Sequence, residues 1–343
     1  MRSSWPAWLS VVVGAAVAAG VASGSTSSYS LALRAVPGLV RADGDLVAAA
    51  LPGDRNGHCA EIVLWRPGHR AVTIKTIVQC DNDGAGLDSI DGLALGGQTV
   101  AWEETNGGNN LELSISKATP ARPKEQAVSY VENGGGAAGD PAGDWTGALV
   151  GHGGLLAYAS WKQCDQSGSG YARPCVPGRP DWYAQRLRRI GGGVLAWGPD
   201  AILPIWTDGK AILVRHLDQT LVLFDSAGRV LWRHSAVPGL ESAVFQGSEL
   251  VTLAGRELAV WRLPAQAPVR SFLLPPGPRA VLEDVDGGVA VLGSNGTTHL
   301  VRLSDGAGAT FTHAANAQLE PQGLYFSDGR TLRFVLRGAI RFG

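Results

Sequence analysis

Carboxylates are the residues best placed to do chemistry in this chain. Asp81, Asp83, Asp88 and Asp91 fall within one short stretch, DNDGAGLDSIDG, and hard oxygen ligands in a Gly-bearing loop are what Ca²⁺ prefers. The spacing departs from a twelve-residue calcium hand, because glycine stands fourth and no terminal Glu follows. Asp81, Asp83 and Asp88 are the candidate metal ligands; Asx turns that cap a loop are the alternative. Glu103 and Glu104 follow Trp102 and could form a carboxylate pair of the kind that hydrolyses glycosides. In a strand, though, alternation sends only one of them inward.

Other motifs lack their context. Gly134–Gly139, GGGAAG, satisfies the letter of a phosphate-binding loop, yet Asp140-Pro141 follows and no helix can receive the phosphate. His152-Gly153-Gly154 could offer oxyanion-stabilising amides, but the chain has no Gly-x-Ser-x-Gly elbow to supply a nucleophile. A turn between two strands accounts for it. The seven histidines, His58, His152, His216 and His299 among them, show no metal-ligand spacing and read as surface or strand residues. Asn295-Gly296-Thr297 is a glycosylation sequon and equally a two-residue hairpin turn, which suffices.

Aromatic residues form the stronger binding signal. Trp145, Trp161, Tyr171, Trp182 and Tyr183 gather along one stretch with Arg173 and Arg179, a mixture that suits a protein, peptide or glycan surface. Trp65, Trp232 and Trp261 instead lie at matching places in repeated strands and read as filler between sheets.

The elements that must position these residues recur. Seven times an apolar strand, a turn and a second apolar strand appear, as in DLVAAALPGDRNGHCAEIVLW from Asp45, KAILVRHLDQTLVLFD from Lys210 and GLYFSDGRTLRFVL from Gly323. A further strand precedes each hairpin and another follows most of them. Units of about 35 to 55 residues with no helical period between them must stack, since none buries its own face. The expectation is an all-β chain, a single seven-bladed β-propeller of four-stranded antiparallel blades. The seventh unit runs out of chain near Gly343, so residues 28–36 are expected to pair into the last blade and close the ring; the rival closure uses Ala339–Phe342.

The segment LVLFDSAGRVLWRH, Leu221–His234, resembles the strand-turn-strand of WD40-like and quinoprotein-like propeller repeats. Asp225, Gly228 and Trp232 match the Asp, turn Gly and closing Trp of that pattern. The resemblance implies the propeller architecture, and no quinone ligand follows from it, because the turn is one residue short of the quinoprotein pattern and lacks its Thr. No cofactor is expected, calcium excepted.

Residues 1–24 have the layout of a secretory signal: one Arg, then an apolar run from Leu9 to Ala22 that is shorter than a membrane span, then small polar residues. The domain then runs over 25–343, and the membrane is met only if that segment is left uncleaved. Cys59 with Cys80 and Cys164 with Cys175 form two local disulfide candidates, in keeping with a secreted or extracytoplasmic bacterial protein. A net charge of −1 gives no basic field to hold a nucleic acid.

In a four-stranded blade, the second-to-third loop and the loop to the next blade open on one face. Those loops are long in blades one to three and minimal in blades four to seven, so a binding surface is expected over the first three blades. The expectation is a non-catalytic binding module for a protein, peptide or envelope glycan. The alternative is a carbohydrate-active enzyme using Asp91, Asp208, Asp284 and Glu320, which end or adjoin the innermost strands.

Overall fold

The computed structural model describes residues 28–53, 59–77, 89–106, 111–133, 143–165, 174–178, 182–198, 202–216, 218–235 and 237–343. They form seven four-stranded antiparallel sheets. Each sheet is a blade. The innermost strands are Leu39–Asp43, Ser89–Gly96, Gly143–His152, Leu203–Thr207, Leu240–Gln246, Val281–Asp286 and Ala315–Glu320, and each meets the corresponding strands of its neighbours around a central channel. The expected seven-bladed propeller is the fold.

Burial explains the strand order within a blade. The second strand of blade one, Leu46–Leu51, LVAAAL, is buried at every position, so an uninterrupted apolar run fits there. Outermost strands such as Val230–His234 and Arg270–Leu273 bury a single residue each, Trp232 and Phe272. Between the blades lie seven separate apolar clusters, one for each neighbouring pair. Among the described residues, the cluster between blades two and three is the smallest, with Ala94, Ala101 and Leu156 as its buried members.

The ring closes through the N-terminal strand. Ser28–Ala32 pairs antiparallel with Thr331–Leu336, so the last blade takes its fourth strand from the start of the chain. Tyr29 packs its ring 6.3 Å from that of Phe334. The rival segment, Ala339–Phe342, begins at the end of a short turn of 3₁₀ helix, Arg337–Ala339, and forms no strand.

The residues that carried the family resemblance are structural. Asp225 Oδ1 accepts from the amides of Ala227 and Arg229, which sets the turn. Gly228 has φ +84°, and a Cβ there would overlap the carbonyl oxygen of Leu195 in the preceding blade. Trp232 donates its indole N–H to the carbonyl of Ala265 in the next blade. One turn thus touches three blades. Trp65, Trp232 and Trp261 are all buried, as expected of filler. Asn295 and Gly296 both have positive φ and make the two-residue turn between Val289–Ser294 and Thr297–Arg302.

Candidate functional site

The channel has two unlike ends. At one end lie the turns between first and second strands, such as Asp43-Gly44, His152-Gly153 and Glu320-Pro321. At the other lie the first residues of the innermost strands and the last residues of the second strands.

The turn end is laced together by side chains that reach across blades. Asp43 Oδ2 accepts the amide hydrogens of Gly97 and Gly153, tying blade one to blades two and three. Asp208 Oδ2 accepts from Gly247, joining blade four to five, while its Oδ1 accepts from Lys210 and Ala211 in its own turn. Gln246 Oε1 accepts from Gly287 and joins five to six. Arg337 bonds Asp286 and the Glu320 carbonyl, joining six to seven. Glu320 Oε2 accepts from Gly44 at 3.0 Å and closes seven onto one. The turns of blades three and four meet backbone to backbone: a Cβ on Gly209 would sit 2.8 Å from the Gly153 Cα.

The carboxylates of the catalytic alternative take part in this lacing. Of its four carboxylates, Asp208, Asp284 and Glu320 each accept an amide of a neighbouring blade; Asp284 Oδ2 takes the Leu319 amide at 2.6 Å. Asp91 is exposed on blade two, where Ser89 Oγ donates to it at 2.7 Å. Burial lifts the Asp284 carboxyl above the usual range, and the Asp286 charge adds to this. Glu320 rises further, by burial first and then by the charges of Asp284, Asp43 and Asp286. His152, read from sequence as an ordinary strand residue, belongs here. Its Nδ1 stands 3.8 Å from Asp43 Oδ1 and 3.7 Å from Glu320 Oε1. Nothing in the sequence joined Asp43 to His152, because blade one and blade three meet only where the turns converge on the channel axis.

Glu103 and Glu104 make no catalytic pair. Alternation turns them into opposite seams, and neither faces the channel. Glu104 forms an ion pair with Lys75 of blade one at 3.0 Å, and Lys75 also holds Glu125 at 2.8 Å. Glu103 lies between blades two and three against two glycines: a Cβ on Gly147 would fall 2.5 Å from its Oε1, and one on Gly92 2.8 Å from its Oε2. Burial, with a smaller push from Asp91, raises its carboxyl to about 7.

The opposite end is open. A cavity of about 350 Å³ is lined there by residues of blades one and four to seven, including Arg41, Trp206, Arg215, Glu241 and Glu283. Burial pulls the Arg41 guanidinium below its ordinary value, while the charges of Glu283 and Asp284 oppose that. Glu283 accepts the Ala317 amide at 2.8 Å, and Glu241 pairs with Arg279 at 3.2 Å.

At this end of blade three, Trp145 and Trp161 sit opposite each other in register. Their rings stack 6.0 Å apart and 8° from parallel, both partly exposed. Lys162 and Asp144 flank the stack as an ion pair at 2.7 Å. Immediately beyond lies the Cys164–Cys175 disulfide, whose excursion is also tied by the Cys175 amide donating to the Asp165 carbonyl at 3.0 Å. Trp182 opens the third strand, Trp182–Arg189, paired with Gln163. Tyr171, Arg173 and Arg179 lie outside the described residues, as do Asp81, Asp83 and Asp88, Cys80, the GGGAAG stretch and residues 1–24. Trp197 gave no signal in the sequence, yet it is 81% exposed on the outermost strand of blade three.

The sequence matches no protein-family model and no curated protein. Solved structures supply a likeness of fold. The chain superposes on Raptor of Chaetomium thermophilum with a TM-score of 0.54 at 12% identity, covering 91% of this chain and 29% of that one. It superposes on a chain of a mitotic checkpoint complex with a TM-score of 0.53 at 12% identity, covering 95% and 99%. The chain thus spans less than a third of the Raptor chain it matches. At this identity the likeness shows the propeller fold and nothing finer.

Proposed function

We propose that the protein is an exported, non-catalytic binding module that takes a protein or peptide on the open end of the channel, over blades one to three. The observation that carries this is the Trp145–Trp161 stack, set in register on a rigid sheet and continued by a disulfide-closed excursion. Paired indoles offer large contact area with little side-chain entropy to lose, and such residues dominate binding energy at interfaces. The mixed charges of the neighbouring cavity suit a peptide that carries both signs. Export is supported by the layout of residues 1–24 and by the Cys164–Cys175 bridge, which persists in oxidising compartments.

The test compares two surface variants with the native protein in recovery from envelope extract. Trp145→Ala with Trp161→Ala is expected to lose the partner, and Lys210→Ala, at the turn end, to keep it. Equal recovery by both variants would refute the assignment. A partner released by glycosidase treatment would make the ligand a glycan.

A further inference from the structure

We propose that Asp43, His152 and Glu320 form a binding site for a divalent first-row transition metal ion at the turn end of the channel. Their ligand atoms, two carboxylate oxygens and an imidazole nitrogen, all lie within 4.8 Å of one another.

The distances are those of ligands around a shared centre. His152 Nδ1 is 3.8 Å from Asp43 Oδ1 and 3.7 Å from Glu320 Oε1, too far for hydrogen bonds, which run about 2.7–3.2 Å. Two ligands each about 2.1 Å from one ion stand roughly 3 to 4 Å apart, and both gaps to His152 Nδ1 are of that size.

The backbone has already oriented the donors. Asp43 Oδ2 is held by two glycine amides and Glu320 Oε2 by a third, so that one oxygen of each carboxylate is fixed and the other turns inward. Hydrogen bonds of this kind, one layer out from the ligands, commonly set ligand geometry. The Glu320 side chain is only 4% exposed; its Oε2 is taken up by the Gly44 amide, which leaves Oε1 on the side of His152. Nearby charge favours a cation too: Asp284 and Asp286 add negative potential, while Arg337 is spent on Asp286. Side-chain exposure rises from 4% at Glu320 through 10% at Asp43 to 30% at His152, which leaves an entry path and open coordination positions on the histidine side. A mixed imidazole and carboxylate set suits Zn²⁺ or Mn²⁺ better than Ca²⁺.

The experiment titrates chelator-treated protein with Zn²⁺ and with Mn²⁺ by calorimetry and follows the unfolding midpoint. The native protein should bind one equivalent of at least one of the two and unfold at higher temperature. His152→Ala leaves every amide bond of the cluster in place, and Glu320→Gln keeps an acceptor for Gly44. Each should bind at least about 100-fold more weakly, because even partners one layer out cost 10 to 100-fold. No binding by the native protein up to about 1 mM metal would overturn the proposal. So would unchanged affinity in His152→Ala, since the ion would then sit elsewhere.

Discussion

The carboxyl group of Glu103 gives the sharpest stability prediction. It is wedged between blades two and three, in the seam with the fewest buried apolar residues among those described, against Gly92 and Gly147, and burial followed by the Asp91 charge raises it to about 7. An unfolded Glu titrates near 4.5. Between those values the folded chain holds a proton that the unfolded chain has released, so stability falls as pH rises through this window and the full cost is present above it. A rise from 4.5 to about 7 corresponds to about 3 kcal/mol at most.

Glu103→Gln keeps the shape and removes the charge. At pH 8 the variant is expected to be more stable than the native protein by up to about 3 kcal/mol, roughly 4 °C in Tm for a domain of this size. At pH 4, where the native carboxyl is already neutral, the two should melt together. Scanning calorimetry at both pH values reads the difference directly. A glutamine variant less stable at both would refute the reasoning, because Glu103 would then be an ionised group with a partner.

Lys75→Ala leaves Glu104 and Glu125 facing each other without their shared cation, and should cost about 3 kcal/mol in chemical denaturation. Gly228→Ala combines a positive φ with overlap on the Leu195 carbonyl, so a loss of more than about 2 kcal/mol is expected; a Tm within a degree of native would contradict the contact. A chain beginning at residue 33 loses the strand that closes the ring, and should show earlier hydrogen exchange in Thr331–Leu336 than in the middle blades.

What the sequence made legible follows period and chain locality. Strand alternation and turn residues such as Asn295-Gly296 are local, so the blades and their order could be read. The closing strand could be read by elimination, since the last blade was one strand short. Contacts between blades are another matter. Glu103 and Glu104 are adjacent in sequence, and alternation correctly separates them, but nothing local says that each side of this strand faces another blade. Asp43 and His152 are 109 residues apart in sequence and meet only because seven turns converge on one axis. Asp208, Asp284 and Glu320 could be placed at the channel by their position on the inner strands; that they accept neighbouring amides depends on the turn geometry of the next blade.

The two ends of the channel divide the labour for a physical reason. A closed ring of blades leaves glycine turns converging at one end, where their amide hydrogens need acceptors, both in the exposed turns of Gly153, Gly247 and Gly287 and in the half-buried turns of Gly44 and Gly97. Asp43, Asp208, Gln246 and Glu320 meet that need, and each bond also fixes the rotation of one blade against the next. The same requirement crowds carboxylates together, which raises Glu320 and Asp284 and creates the cluster around His152. At the opposite end the inner strands begin rather than turn, so fewer amides converge there and side chains are free to face solvent. Trp145, Trp161 and Arg215 stand at that end, which is why substitutions there should alter recognition while substitutions among the turn acceptors should loosen the ring.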